Sequence, residues 1–279
     1  MARNVGSAPL QTARGLGGGF VHSTAFEALS RAGFVARGLI YGIIGLLAFE
    51  VAVSDAGKLT NQQGAIKTVA NQPFGEFLLV LLAIGLGGYA IWRLFRAALG
   101  HGPEDTDSTL ERLGGLGSGL VYGGLCIVSI KLLTGSSTAG PSSNPDQTTA
   151  GVFDWPAGRW LVGLAGVVLL GVAAYQLEKG VRQKFVEELK TGEMSAGMES
   201  WVTWIGTIGH VARAIVFGLL GWFLLKAAYE FEAKEAVGLD GALTKILKAD
   251  YGPWLLGFVA AGLIAFGVYS ISEARYRKI

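Results

Sequence analysis

Charge is what this chain has least of. Only 16% of its 279 residues are Asp, Glu, Lys or Arg, where a soluble domain carries roughly 25%. The net charge of +2 offers no footprint for a nucleic acid. Cysteine is nearly absent as well. Cys126 stands alone, so it forms no internal disulfide and no multi-thiolate metal site. There are three histidines, and two of them, His22 and His101, fall in expected loops. His210 has no His, Cys or acidic partner at ligand spacing, so neither metal nor haem is expected. Residues 1–24 lack an apolar core, so a cleavable signal peptide is not expected and the first apolar segment is read as retained.

Long apolar runs are what the chain has in their place. About 20 such residues cross a hydrocarbon core of roughly 30 Å, and six windows qualify, at 35–55, 75–97, 114–134, 159–178, 207–229 and 253–272. Backbone groups in lipid must be satisfied within their own segment, which selects helices. The alternating ten-residue segments of a membrane barrel are missing. No proline interrupts a span, whereas transporters commonly break a helix near the midplane.

The windows are three copies of one unit. VARGLIYGIIG (35–45), LGSGLVYGGLC (116–126) and VARAIVFGLLG (211–221) open the first helix of each copy. Gly33, Gly114 and Gly209 align, as do Tyr41, Tyr122 and Phe217. On the second helices Gly75, Gly158 and Gly252 align, and Trp92, Tyr175 and Tyr269 mark the far end. Aromatics bracket each second helix as belts at two water interfaces would. The chain therefore divides into a flexible tail (1–27) and repeats at 28–100, 109–186 and 200–276.

The linkers inside repeats one and three, GAIKTVANQPFG (64–75) and GALTKILKADYG (241–252), space apolar residues helically beside lysines. A short amphipathic helix on the membrane surface is expected of each. The second linker, rich in Ser, Pro and Gly, reads as an exposed loop. The acidic stretch 101–112 does not match a calcium loop and reads as a solvated turn. Residues 178–193 read as a helical extension with a stripe of Val181, Phe185 and Leu189.

Fifteen of the 23 lysines and arginines lie on the side that holds both termini. The positive-inside rule puts that side in the cytoplasm. Each hairpin then starts inside, so the fold expected is an all-α polytopic bundle of six transmembrane helices, three parallel tandem hairpin repeats about a pseudo-threefold axis.

Three sets of residues are candidates within it. Gly38 and Gly42, Gly119 and Gly123, and Ala214 and Gly218 are small pairs four apart, the spacing that lets helices approach in lipid. Arg37 and Arg213 share one repeat position, filled by Ser118 in repeat two. They read as interface anchors on lipid phosphate, as hydrogen bonds to a neighbouring repeat, or as a substrate contact. Glu50, Lys131 and Lys226 share another position near the outer end, where they would meet as a polar cluster or reach into water.

With its three hairpins, R-G-x-x-Y-G-type signature and YSISEARYR tail (269–277), the chain resembles the bacterial domain-of-unknown-function 1206 family. That resemblance implies a six-span inner-membrane protein of three tandem repeats and assigns no catalytic or ligand residues. No cofactor is expected. The lipid bilayer is the expected partner, together with other membrane proteins of a larger complex. Two functions follow: a non-enzymatic structural or accessory subunit of a cytoplasmic-membrane assembly, or a small channel or transporter along the pseudo-axis.

Overall fold

A computed structural model describes residues 24–54, 57–99, 109–135 and 145–278. The N-terminal tail, His22, His101, the acidic stretch at 101–108 and linker residues 136–144 lie outside it. The described residues form helices α1 (Thr24–Ser54), α2 (Gln62–Ala70), α3 (Gly75–Leu99), α4 (Thr109–Leu133), α5 (Pro145–Phe153), α6 (Gly158–Val181), α7 (Ala196–Glu230), α8 (Leu239–Leu247) and α9 (Gly252–Tyr276). Six of these are long and apolar enough to cross a membrane. The short helices α2, α5 and α8 sit in the three linkers and mark the linker end of the bundle. The opposite, junction end carries the connections between repeats.

The second linker corrects the expectation of a loop, because α5 occupies the same repeat position as α2 and α8. Pro145 is its first residue, where a missing N–H costs nothing and the fixed φ favours a helix. Asn61 caps α2 by accepting from the Gly64 N–H at 3.0 Å. The faces of α2 and α8 that hold Ala65 and Ile66, and Ala242 and Leu243, are fully buried.

Three interfaces of one kind build the bundle. The second helix of each repeat packs along the first helix of the next: α3 on α4, α6 on α7, and α9 back on α1. Small residues make each crossing close. A Cβ added at Gly38 would lie 2.6 Å from the Gly267 carbonyl oxygen, and one at Gly119 would lie 2.8 Å from the Leu94 side chain. Further along, a Cβ at Gly45 would stand 2.9 Å from the Ala260 carbonyl oxygen, and one at Gly221 2.9 Å from that of Gly166. The equivalent residue of repeat two is Cys126, whose thiol donates to the Ala83 carbonyl at 3.3 Å. The lone cysteine is thus a packing residue at a helix crossing. In lipid such contact is favoured by dispersion and backbone proximity, since the hydrophobic effect adds little between helices.

Hairpins one and three also close internally. Gly33 lies under Tyr89, and Gly209 under Phe266, the same pair of repeat positions. Gly85 packs against Ala32 and Ala36, and Gly262 against Ala212. Hairpin two does not close: α4 and α6 scarcely touch. A Cβ at Gly114, Gly117 or Gly171 would meet nothing within 4 Å. Ile40 and Val216 are 1% and 5% exposed, whereas their equivalent Val121 is 59% exposed. Two substitutions account for the split. Val168 stands where Gly85 and Gly262 permit close approach, and Val172 replaces the ring of Tyr89 or Phe266. The helices therefore run α4–α3–α1–α9–α7–α6 around the axis, with a lateral cleft between α4 and α6.

This asymmetry separates two equivalent glycines. At Gly209 an added Cβ would lie 2.6 Å from the Phe266 backbone, so Gly209→Val should destabilise by about 1–3 kcal/mol through overpacking. Gly114→Val should stay within about 0.5 kcal/mol of the parent. Unfolding of both variants in one detergent checks this, and equal losses would contradict the split.

Candidate functional site

The junction end holds a buried chain of charges that joins all three repeats. Arg37, 4% exposed on α1, donates from Nε to the Ser270 hydroxyl at 2.7 Å and from Nη1 to the Tyr89 hydroxyl at 2.5 Å. Its Nη2 donates to the carboxylate of Glu273, which is 2% exposed on α9. The Ser270 hydroxyl donates in turn to the Phe34 carbonyl at 2.8 Å. Glu273 also pairs with Arg277, which lies 2.8 Å from Glu188. Glu188 in turn takes Lys179 at 2.7 Å. The order is Arg37, Glu273, Arg277, Glu188, Lys179. Aromatic rings wall it in: the Arg37 guanidinium sits 5.1 Å over Phe34, 5.0 Å over Tyr89 and 5.2 Å over Phe266.

Arg37 is therefore an internal tie between repeats and not an anchor on lipid phosphate. Burial dictates this, because an intramembrane cation needs a fixed counter-ion and Glu273 provides it. Arg31 repeats the α1–α9 tie at the helix end, donating to the Ala274 carbonyl and, at 2.8 Å, to that of Arg275. A cation there also satisfies the helix C-terminus.

Glu188 reaches the network by a backbone path that periodicity hides. The segment expected as a helical extension instead leaves α6 at Gln183, whose φ of 54° is left-handed. One 3-10 segment, Lys184–Glu188, then doubles back beneath the bundle. Leu189 forms an isolated bridge with Arg277, and the Lys190 N–H donates to the Tyr276 carbonyl at 2.7 Å. Phe185 is fully buried, stacked at 5.1 Å on His210, whereas Val181 is 65% exposed. The three residues thus share no single stripe. Burial alone would raise the Glu188 carboxyl, but Arg277 and Lys179 outweigh it and hold it well below the usual carboxylate range.

Arg213 sits differently from Arg37. It crosses the axis to lie 4.3 Å over the Phe266 ring of α9 and 5.2 Å over Tyr41 of α1. Among the described residues it makes no ion pair, and its Nε has no hydrogen-bond partner. One turn before it His210, 5% exposed, leaves both ring nitrogens unpartnered, and Thr207 leaves its hydroxyl so.

The small pairs lie at the helix crossings. Gly38 and Gly42 meet Gly267, Gly119 and Gly123 meet Leu94 and Ala90, Gly218 faces Ala173 at 3.9 Å, and Ala214 is buried. The suggested polar cluster does not assemble. Lys226 instead pairs with Glu235 at 2.8 Å and Glu230 at 3.9 Å, on its own helix and linker. Neither Glu50 nor Lys131 forms an ion pair among the described residues. Among the described residues Glu230, Glu232 and Glu235 are the one acidic group close enough for a cation, and Lys226 and Lys234 already pair with them.

Sequence reading alone passed over Glu273, Arg277, Glu188 and Tyr89. A signal was present: Glu273 is an acid where the aligned repeats carry Arg96 and Lys179.

Glu273→Gln leaves Arg37 and Arg277 buried with half their counter-charge and should cost about 3–5 kcal/mol of stability, read by unfolding in mixed micelles. The pH response of the strap has a definite sign. A depressed carboxylate gives its full stabilisation above the ordinary pKa and loses it only as pH falls through the depressed one. Hydrogen exchange at residues 184–189 should stay slow from pH 7 to about pH 4.5, the ordinary carboxylate region. Opening of the strap already within that range would contradict the pairing.

Comparison with known proteins agrees with the repeat. The family model described as Domain of Unknown Function (DUF1206) matches three times, at residues 32–100, 113–183 and 208–277. The uncharacterized protein YxxB of Bacillus subtilis (strain 168) is 34% identical over 253 residues, covering 89% of this chain and 90% of its own length. No solved structure matches.

Proposed function

The chain belongs to the DUF1206 family, and from that premise we propose that it works in the membrane by binding, without catalysis or conduction. It is a non-enzymatic interaction protein, an accessory component of a cytoplasmic-membrane assembly, with both termini in the cytoplasm as the basic asymmetry suggests. Its working surface is the cleft between α4 and α6.

The observation that carries this reading is the incomplete second hairpin. Gly114, Gly117, Val121, Val168 and Gly171 hold positions that bury helix against helix in the other two repeats, yet here they stand uncovered. Small-residue faces in lipid are built for close contact. A second observation weighs against an axial path. The strap bearing Phe185 and the ion pairs of Arg37, Glu273 and Arg277 tie α1, α3, α6 and α9 across the junction end.

Native mass spectrometry of the full chain extracted under mild conditions tests the reading. The parent should retain a non-covalent species that the cleft-filling variant Val121→Trp/Gly171→Leu loses at unchanged helical content. Proteoliposomes of the parent should pass no ionic current. Retention by both proteins, or a current through the parent, would contradict the proposal.

A further inference from the structure

The reading of the cleft as a working surface leaves its ligand open, and Arg213 narrows the choice. We propose that the interior end of the α4–α6 cleft binds the anionic headgroup of a membrane lipid on Arg213. This rests on the cleft reading and adds the charge of what enters.

Pseudo-symmetry carries the first part of the argument. Arg37 and Arg213 hold the same repeat position, but their surroundings do not match. Arg37 has Ser270, Glu273 and Tyr89. The equivalent positions around Arg213 are Gln176, Lys179 and Phe266. A cation replaces the carboxylate and a phenyl ring replaces the phenol. Lys179 is itself engaged by Glu188. The chain thus keeps the arginine and removes its counter-ion. An intramembrane charge without a partner is costly and marks a functional position.

Direction carries the second part. Around the axis α1 and α7 are separated by α9, yet the Arg213 guanidinium lies 5.2 Å over the Tyr41 ring of α1. It therefore points across the bundle interior. Tyr122 of α4 also faces this interior, its ring 4.6 Å from that of Tyr89. Among the described residues α4 and α6 are the ring neighbours that scarcely touch, and the gap between them is the route we assign to a membrane-borne anion. His210, buried with both ring nitrogens unpartnered one turn away, adds unspent hydrogen-bonding capacity beside it.

Charge complementarity then selects the occupant. Among the described residues the one carboxylate buried in a span is Glu273, which Arg37 and Arg277 already hold. It is therefore not free to serve as the counter-ion of Arg213. Bilayer lipids present a phosphate at high local concentration, and a guanidinium can grip it through two parallel N–H bonds. The acyl chain would run from there toward the bilayer centre, past the exposed Val121 and Ala165.

The test uses the full chain in nanodiscs. Native mass spectrometry reads retained lipid in phosphatidylcholine discs, in discs containing phosphatidylglycerol, and in phosphatidylcholine discs with added inorganic phosphate. The parent should keep one phosphatidylglycerol. Arg213→Gln should hold it roughly tenfold less tightly, the scale of one charge-assisted hydrogen bond. Arg213→Lys should recover part of the binding, and Arg112→Gln, on the exposed junction face, should change nothing. Arg213 has no internal counter-ion, so these variants should keep the parent's melting behaviour, measured alongside. Equal retention of phosphatidylcholine, equal retention by Arg213→Gln, displacement of the lipid by free phosphate, or a polypeptide in the lipid's place would each overturn the assignment. If Val121→Trp expels lipid while Arg213→Gln does not, the cleft stands and the headgroup contact fails. If neither variant matters, both readings fail.

Discussion

Everything in this fold depends on how closely two helix backbones can approach where one repeat hands over to the next. Lipid gives helices no hydrophobic reason to associate, so the contact must come from packing and backbone proximity. The chain meets this need three times at equivalent places: Gly38 and Gly45 against α9, Gly119 and Cys126 against α3, Gly221 against α6. Because the third handover returns from α9 to α1, the repeats curl into a ring and do not extend as a row. Small residues at a few positions thus settle the shape of the whole molecule.

Closing that ring brings the first and last spans together, and there the chain adds a buried ionic tie. Arg37 and Glu273 are far apart in sequence, and Glu188 joins them only because the strap after α6 folds back. Such a tie is weak evidence for stability, since desolvating each charge is expensive. What it does fix is register, because the guanidinium must meet a hydroxyl, a phenol and a carboxylate at once. The same position in repeat three lacks those partners and in repeat two lacks the arginine. One inherited position therefore serves as a structural tie, an unspent charge and a plain serine.

The repeat was legible because aromatic and glycine positions recur at constant spacing on both helices of each unit. The crossings were legible in part: the pairs beginning at Gly38, Gly119 and Ala214 lie on the right face, though the contact runs on to Gly45, Cys126 and Gly221. Of the three readings open for Arg37, the bond to a neighbouring repeat holds and the lipid anchor does not, because distance from a helix end says nothing about a carboxylate more than two hundred residues away. The stripe at Val181, Phe185 and Leu189 failed because Gln183 turns left-handed and breaks the helical period. α5 was missed because its residues look like a loop while Pro145 suits a helix start. The split hairpin left a trace in Val168 and Val172, which only acquires meaning once Gly85, Gly262, Tyr89 and Phe266 are seen in contact.

The central claim is that the second hairpin stands open while the first and third are closed. Three equivalent pairs of exposed residues report it directly: Leu39 with Ile84, Leu120 with Val167, and Ile215 with Ala261. Spin labels on each pair, in a Cys126→Ala background and in bilayer nanodiscs, measure the three helix separations by pulsed dipolar spectroscopy. The account predicts matching distances for the first and third pairs and a clearly longer one for Leu120 with Val167. Three equal distances would contradict it.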